Sequence, residues 1–341
     1  HCQKSIDRIV MIILKDLLYK VSLEAVFGEL QQQIKSVTFD SRAVESQSLF
    51  VALKGEGLDG HDYIESAIEG GAISVLCEVL PSTLDDRCTY LQVQDSHKAL
   101  GILASNFYGN PSYDLKVIGV TGTNGKTSVA TMLYGLFESL GYPAGLLSTV
   151  KVCFGGFEKE ATHTTPDPLQ IQAHLAAMKK AGITHCFMEV SSHALDQLRV
   201  ADIDFDISVF TNLSNEHLDY HNDMETYFKA KSKLFRMMPI TSTSIVHIDD
   251  MYGKKMKLES SAPVLSISMK KRSDIYFDKI NCSLSGIKGI IKSTNKEILF
   301  NSALIGEFNS ENIISAASVG IALNISAKNI ENGINRLKAV D

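Results

Sequence analysis

This sequence has no basic excess. Its net charge is −6 at pH 7, so the electrostatic footprint of a nucleic-acid binder is missing. Any anionic ligand must be held by local donors, because the overall field does not attract it. There is no C-x-x-C pair either. Cys2, Cys77, Cys88, Cys153, Cys186 and Cys282 are scattered, which reads as reduced, mostly buried thiols of a cytoplasmic protein. Long hydrophobic runs are also lacking. Ile9 to Leu14 is apolar for only six residues before Lys15-Asp16, too short for a signal-peptide core or a membrane span. No internal repeat or low-complexity tract is present. What remains, 45% hydrophobic and 21% charged over 341 residues, fits a soluble globular chain with room for two domains.

The chain divides at the turn cluster Asn110-Pro111-Ser112. Residue 1 is His, Met11 is a plausible start, and residues 1–10 read as leader or tag. Residues 11–111 read as a small α/β domain. Its expected elements are a short helix at Lys15 to Val21, a strand running into a turn over Val37 to Arg42, strands at Leu49 to Leu53 and Ile73 to Cys77, and a helix at Tyr63 to Glu69. Residues 112–341 alternate strands (117–121, 145–149, 184–190, 207–211, 244–248) with helices (127–140, 167–181, 223–238). That alternation predicts an α/β domain with a mostly parallel sheet covered on both faces. Residues 275–305 change to an antiparallel β pattern, and helices follow at about 309–323 and 326–338.

The most informative stretch is Val117 to Ser128, VIGVTGTNGKTS. An apolar run leads into a glycine loop, then Lys126 and Thr127, then an amphipathic segment. In such a loop the backbone N–H groups converge on an anion at a helix N-terminus. Lys126 would reach the outer phosphates and Thr127 would offer its hydroxyl to Mg²⁺. The stricter motif G-x-x-x-x-G-K-[ST] requires Gly at position 120, where this chain has Val120; the shorter G-x-x-G-K-T from Gly122 to Thr127 is what stands here. A glycine turn capped by Thr and Asn is the plain alternative.

Other segments carry chemistry less specifically. Glu189 ends the strand Ile183 to Glu189, where a carboxylate commonly helps to hold Mg²⁺; it also reads as an ordinary strand-end charge. Ser191-Ser192-His193, with Gln197 and Arg199 nearby, reads as a helix cap and surface turn. His217, Asp219 and His221 have metal-ligating side chains, although loop histidines are commonly solvated or hydrogen-bonded. Lys229, Lys231 and Lys233 read as a solvated helix face. Thr164-Thr165-Pro166-Asp167 places two hydroxyls before a helix, with Pro166 in its first turn, suiting an anionic ligand or plain capping.

Taken together, these segments resemble the Mur ligases, ATP-dependent enzymes of peptidoglycan precursor synthesis. The resemblance runs over nearly all of residues 11–341. It rests on Thr121 to Thr127, Thr164 to Asp167, Glu189 to Leu195, Thr211 to Leu213 leading to His217 to His221, and Gly306-Glu307-Phe308-Asn309. Thr38 to Arg42 favours the branch that adds the third amino acid of the precursor. The resemblance implies ATP and Mg²⁺ as cofactors. Gly122, Thr123, Asn124, Gly125, Lys126, Thr127 and Ser128 would form the ATP loop, and Asn309 would contact adenine. Thr127, Glu189, His217 and Lys231 would hold metal, Lys231 as a CO₂-carbamylated lysine. Ser41, Glu56, Gly57, Leu58, Thr164, Thr165, Ser191, Gln197 and Arg199 would bind the UDP-MurNAc-L-Ala-D-Glu substrate. His163 stands where some relatives have Asn. The second substrate would be a diamino acid, meso-diaminopimelate or L-lysine, and the protein a cytoplasmic monomer with no membrane or nucleic-acid partner. The resemblance also implies a C-terminal amino-acid-binding domain that would begin about where this chain stops.

Two other functions fit parts of the sequence. A kinase or GTPase shares the phosphate loop, but a GTPase would carry a base-reading N-K-x-D, and none is present. A kinase would need no modification of Lys231. A non-catalytic chain would bind ATP or UDP-precursor without turnover.

Overall fold

The computed structural model describes residues 11–55, 57–161, 163–215, 218–270 and 273–337, with the side chains of Leu218 and Asp219 excepted. The chain forms two compact units, one running to Asn110 and including Asp167–Ala173, the other comprising Pro111–Pro166 and His174 onward.

In the first unit, five strands form one sheet: β1 (Leu23–Phe27), β2 (Ser36–Thr38), β3 (Ser48–Val51), β4 (Ala72–Cys77) and β5 (Thr89–Val93), in the order β1-β5-β4-β3-β2. Only β1 runs antiparallel to its neighbour. Helices α1 (Ile64–Glu69) and α2 (Ser96–Phe107) follow β3 and β5 in the chain. Asp95 starts α2 by accepting the Lys98 amide at 2.9 Å, which satisfies one of the helix's orphan N–H groups. β3 and β4 are buried on both faces, and their successive residues feed two cores in turn. Leu49, Val51, Leu76 and Leu91 pack with α2, while Phe50, Val75, Cys77 and Tyr90 pack with α1. The helix expected at Lys15 to Val21 is one turn, Leu14–Leu17. β1, β5 and α2 were not anticipated from the sequence.

The second unit is built on an eleven-stranded sheet. Its strands are β6 (Lys116–Thr121), β7 (Ala144–Leu147), β8 (Lys151–Phe154), β9 (Phe157–Glu160), β10 (His185–Glu189), β11 (Ile207–Phe210), β12 (Thr243–His247), β13 (Val264–Ser268), β14 (Ile275–Ser283), β15 (Gly286–Ser293) and β16 (Glu297–Ser302). The order is β9-β8-β7-β10-β6-β11-β12-β13-β14-β15-β16. From β7 to β14 all pairs are parallel, and antiparallel strands flank both edges. This is the expected α/β class with its antiparallel section.

The helices of this unit are α3 (Lys126–Ser139), α4 (Pro168–Lys180, shared with the first unit), α5 (Ser192–Asp196), α6 (Leu218–His221), α7 (Met224–Arg236), α8 (Met251–Glu259), α9 (Glu307–Ala322) and α10 (Ala327–Asn335). α3 buries Val129, Met132, Leu133, Leu136 and Phe137 against β6 and β10 and against Ile313, Ala317 and Ile330 of α9 and α10. β6 lies between β10 and β11, so the chain connections diverge on either side of it. In open α/β sheets, ligands bind at such a point, beyond the carboxyl ends of the strands. The helix start expected at Pro166 is displaced. Asp167 accepts the Gln170 amide at 3.0 Å and Pro168 takes the first helical position, where its missing N–H costs nothing.

His247, at the end of β12, is 5% exposed and lies 2.9 Å from the Ser315 hydroxyl on α9. Burial drives its pKa down to about 4, against the smaller opposing pull of the Glu311 carbonyl, Asp249 and Asp250. The unfolded chain takes up this proton near pH 6.5. The neutral buried ring therefore contributes stability that is fully present above pH ~6.5 and is lost as pH falls towards 4, roughly 3 kcal/mol in all. Denaturant unfolding at a series of pH values should show this slope in the parent chain and a shallower one in His247→Gln; equal slopes would contradict it.

Candidate functional site

The glycines of the β6–α3 loop are there for steric reasons. Gly122 has φ +153°, and a Cβ on it would collide with the Thr211 hydroxyl. Gly125 caps α3 in the left-handed region at φ +84°, where a Cβ would lie 2.6 Å from Asn312 Oδ1. Both positions exclude ordinary side chains. The loop is fastened to the chain after β11. Thr123 N–H donates to the Asn212 carbonyl at 2.9 Å, Asn124 N–H to Asn212 Oδ1 at 3.0 Å, and the Thr211 hydroxyl to the Asn124 carbonyl at 2.6 Å. Lys126 folds back over its own loop, its Nζ 3.0 Å from the Gly122 carbonyl oxygen and 2.7 Å from that of Thr123.

Beside the loop, the Thr127 hydroxyl donates to Glu189 Oε2 at 2.9 Å. Glu189 is fully buried, and its other oxygen accepts the Thr149 amide at 2.6 Å. Lys231 of α7 is 1% exposed and donates to the same Gly122 carbonyl at 2.8 Å, with its Nζ 4.5 Å from the centre of the Tyr227 ring. The solvated face expected for Lys229, Lys231 and Lys233 therefore fails at Lys231, because Tyr227, Phe228, Lys231 and Leu234 lie on the buried side of α7. The side chains Lys126, Thr127, Glu189 and Lys231 line one cavity of about 380 Å³ with Thr149, His163, Thr164, Thr165, Ser191, His193 and Arg199. Among the described residues its charged lining is Lys126, Lys231 and Arg199 with Glu189, side chains suited to an anionic ligand.

The residues fit a divalent cation of the magnesium class. A carboxylate and a hydroxyl at hydrogen-bond distance, next to a phosphate-type loop, are the hard oxygen donors that Mg²⁺ takes alongside water and phosphate. Among the described residues no three His, Cys, Asp or Glu side chains form a cage. His217 and Glu56 lie outside the described residues, as does the Asp219 side chain.

The rest of the expected set divides in two. Thr165 is buried, donating to the Glu189 carbonyl at 2.9 Å and accepting the Ser191 amide at 3.1 Å, which locks the turn after β10. Ser191 caps α5 through the Ala194 amide at 3.1 Å. Arg199 bridges the Thr165 carbonyl and Gln197 Oε1, both at 2.9 Å. Ser128 lies half-buried in the first turn of α3. Asn309 opens α9, donating to the Ile305 carbonyl at 2.8 Å. In the first unit, Ser41 starts a short 3₁₀ turn capped by Asp40, whose carboxyl the hydrogen-bonded Arg42 guanidinium holds down at about 2. Gly57 and Leu58 belong to an exposed loop in which the Gly55 amide donates to the Leu58 carbonyl at 2.9 Å.

Comparison with known proteins bears on this arrangement. The model of the Mur ligase middle domain matches residues 120–320, which span the phosphate loop, Glu189, Lys231 and Asn309. The chain belongs to the Mur ligase family. A second model, described as Mur ligase family, catalytic domain, matches residues 33–108. This Mur ligase chain is 43% identical over 313 residues to the UDP-N-acetylmuramoyl-L-alanyl-D-glutamate--2,6-diaminopimelate ligase of Cytophaga hutchinsonii, covering 91% of this chain and 63% of that protein. It is 38% identical to the protein of the same name from Parabacteroides distasonis, covering 96% and 66%. The chain thus spans about two thirds, or slightly less, of these curated relatives. A solved structure of a ligase of that name aligns with a TM-score of 0.84 at 25% identity, covering 97% of this chain and 68% of that one. The MurF ligase of Thermotoga maritima in complex with ADP shares the fold, with a TM-score of 0.60 at 20% identity over 89% of this chain and 66% of that one.

Three side chains around this loop and cavity escape the sequence reading of the Mur ligase chain. Thr149 follows the end of β7 and is visible only once β7 is set beside β10. Asn312 sits three residues after Asn309, on the helix face that meets Gly125. Tyr227 precedes Lys231 by four residues, so the two share a helix face; that spacing was available in the sequence.

Proposed function

We propose that the chain is the nucleotide- and precursor-binding part of an ATP-dependent amide ligase that joins meso-diaminopimelate to UDP-MurNAc-L-Ala-D-Glu in the cytoplasm. One observation carries the reading: Lys126 and Lys231 both reach the Gly122 carbonyl inside a cavity where the Glu189 carboxylate stands against the Thr127 hydroxyl. The names of the relatives support the choice of substrates. Among the described residues no helix is long and apolar enough to cross a membrane.

In this reading the triphosphate lies along the loop amides at the N-terminus of α3, with Asn309 toward adenine. Lys126 leaves its loop carbonyls for the γ-phosphate. Ser41 and the segment Glu56 to Leu58 hold the UDP end of the precursor; Thr164, Ser191, Gln197 and Arg199 hold its peptide end. The D-Glu γ-carboxylate attacks the γ-phosphorus, ADP departs, and the amine of the diamino acid then attacks the acyl carbon and expels phosphate. The carboxylate and the triphosphate repel one another, so Lys126 must offset that charge as they approach; such transfers depend on positioning and electrostatics. Thr127, Glu189, His217 and a carbamylated Lys231 would hold magnesium, which when bound supplies further neutralisation of the phosphates.

Two ammonium groups directed at one carbonyl oxygen repel each other. Carbamylation of Lys231 removes that repulsion and supplies an anionic oxygen ligand in its place. Carbon-13 NMR after equilibration with labelled bicarbonate is expected to give one carbamate resonance, missing in Lys231→Arg. A parent chain without that resonance would contradict the modified lysine and favour a kinase-like reading of the loop.

A further inference from the structure

His221 belongs to the H-x-D-x-H run, and its imidazole has the chemistry of a metal ligand. Its position gives it other work. The side chain is 2% exposed and sits among rings. It stacks on Tyr227 with centroids 5.0 Å apart and planes at 27°, and meets Tyr220 edge-on at 4.8 Å. His193, which lines the cavity, lies 5.7 Å from it and 4.0 Å from Tyr220. Tyr227 is fully buried and touches two parts of the nucleotide site. Lys231 Nζ lies 4.5 Å from its ring centre, and its hydroxyl is 3.3 Å from Thr123 Oγ1 in the phosphate loop. Thr123 Oγ1 in turn accepts the Ser214 amide at 2.9 Å. A tilt of the Tyr227 ring would therefore move Lys231 and the loop relative to each other, and the His221 face resists that tilt.

We propose that His221 and Tyr227 are positioning residues, a stacked pair that sets Lys231 and Thr123 against each other, with His221 acting through its ring face rather than as a ligand. The inference rests on the nucleotide reading of the site. Offset-stacked and edge-on ring contacts contribute beyond buried area, and π-faces also favour a nearby cation, so the ring rather than the ring nitrogens is the feature to preserve.

Two substitutions separate the roles. His221→Phe keeps an aromatic face and discards both nitrogens; His221→Asn keeps a polar, ligand-capable group and discards the ring. Calorimetric titration with Mg·ADP is expected to place His221→Phe within about threefold of the parent chain and His221→Asn about tenfold weaker, the size of one lost aromatic contact. The Mg²⁺ concentration that half-saturates ADP binding is expected to stay at the parent value in His221→Phe, a readout that a ligand would move. The reverse order, two variants equal to each other, or a shifted Mg²⁺ requirement in His221→Phe would each overturn the inference. Should His221→Asn fail to fold by circular dichroism, His221→Phe binding more than about tenfold weaker than the parent would overturn it alone. A parent chain that binds no Mg·ADP would overturn the nucleotide reading and this inference with it. A parent chain that binds, with the variants out of order, would overturn this inference only.

Discussion

Lys126→Ala is expected to weaken Mg·ATP binding by about a thousandfold while leaving the melting temperature nearly unchanged. The asymmetry follows from where the ammonium sits. It donates to the Gly122 and Thr123 carbonyls of its own loop, half-buried at the wall of the cavity, so its loss leaves acceptors that water can serve. With triphosphate bound, the same group becomes a desolvated partner of an anion. Losing one member of such a pair costs about 3–5 kcal/mol, and each 1.4 kcal/mol is about tenfold in affinity. Calorimetry checks the binding and differential scanning fluorimetry the stability. Near-parental affinity for Mg·ATP in Lys126→Ala would remove the phosphate-loop assignment.

Glu189→Gln is expected to weaken the Mg²⁺-dependent part of nucleotide binding, raising the Mg²⁺ needed for half-saturation by about a hundredfold. Glutamine has nearly the same shape, and its carbonyl oxygen can still accept from the Thr149 amide or the Thr127 hydroxyl, so the turn after β10 survives. What it lacks is the charge, and a hard divalent cation binds chiefly through charged oxygen. Glu189→Ala should lose the same dependence and also fold less stably by about 1–3 kcal/mol, since the Thr149 amide would lose its buried partner. Titrations of ADP at stepped Mg²⁺ concentrations distinguish the variants. An unchanged Mg²⁺ requirement in Glu189→Gln would place the cation elsewhere.

Much of this fold was legible because its signals are local. The run into Gly122 and Gly125 predicts strand, loop and helix, and β6 and α3 begin within a residue of the expectation. The switch to antiparallel pairing after 275 was visible in the alternating pattern of Glu297 to Leu304, whose exposed and buried residues alternate through β16. The β8–β9 hairpin was missed although Gly155-Gly156 joins its strands with both φ values positive, a turn signal that outweighs the fully exposed, weakly patterned Phe157–Glu160. β13 was missed although Ser260-Ser261-Ala262-Pro263 marks its start, because Val264–Ser268 is short and is fixed by pairing with β12.

The site divides along the same line. Lys126 and Thr127 were legible from chain order alone. Glu189 became specific only when β10 proved to lie beside β6. Lys231 could not be read from charge pattern at all, because burial of a lysine is decided by what packs around α7. Tyr227 was hidden for a related reason: an aromatic residue near a helix start looks like core until the groups it touches are known. His221 was singled out, but as a metal-ligating side chain rather than for its ring contacts.

A crystal structure of the chain with Mg²⁺ and a non-hydrolysable ATP analogue tests the central claim most directly. The account predicts the β- and γ-phosphates on the amides of Gly122 to Thr127, Lys126 Nζ turned from the Gly122 carbonyl to the γ-phosphate, and the cation about 2.1 Å from the Thr127 hydroxyl oxygen on the Glu189 side. A triphosphate bound elsewhere, or bound here with Lys126 still on its loop carbonyls and the cation remote from Thr127 and Glu189, would contradict it.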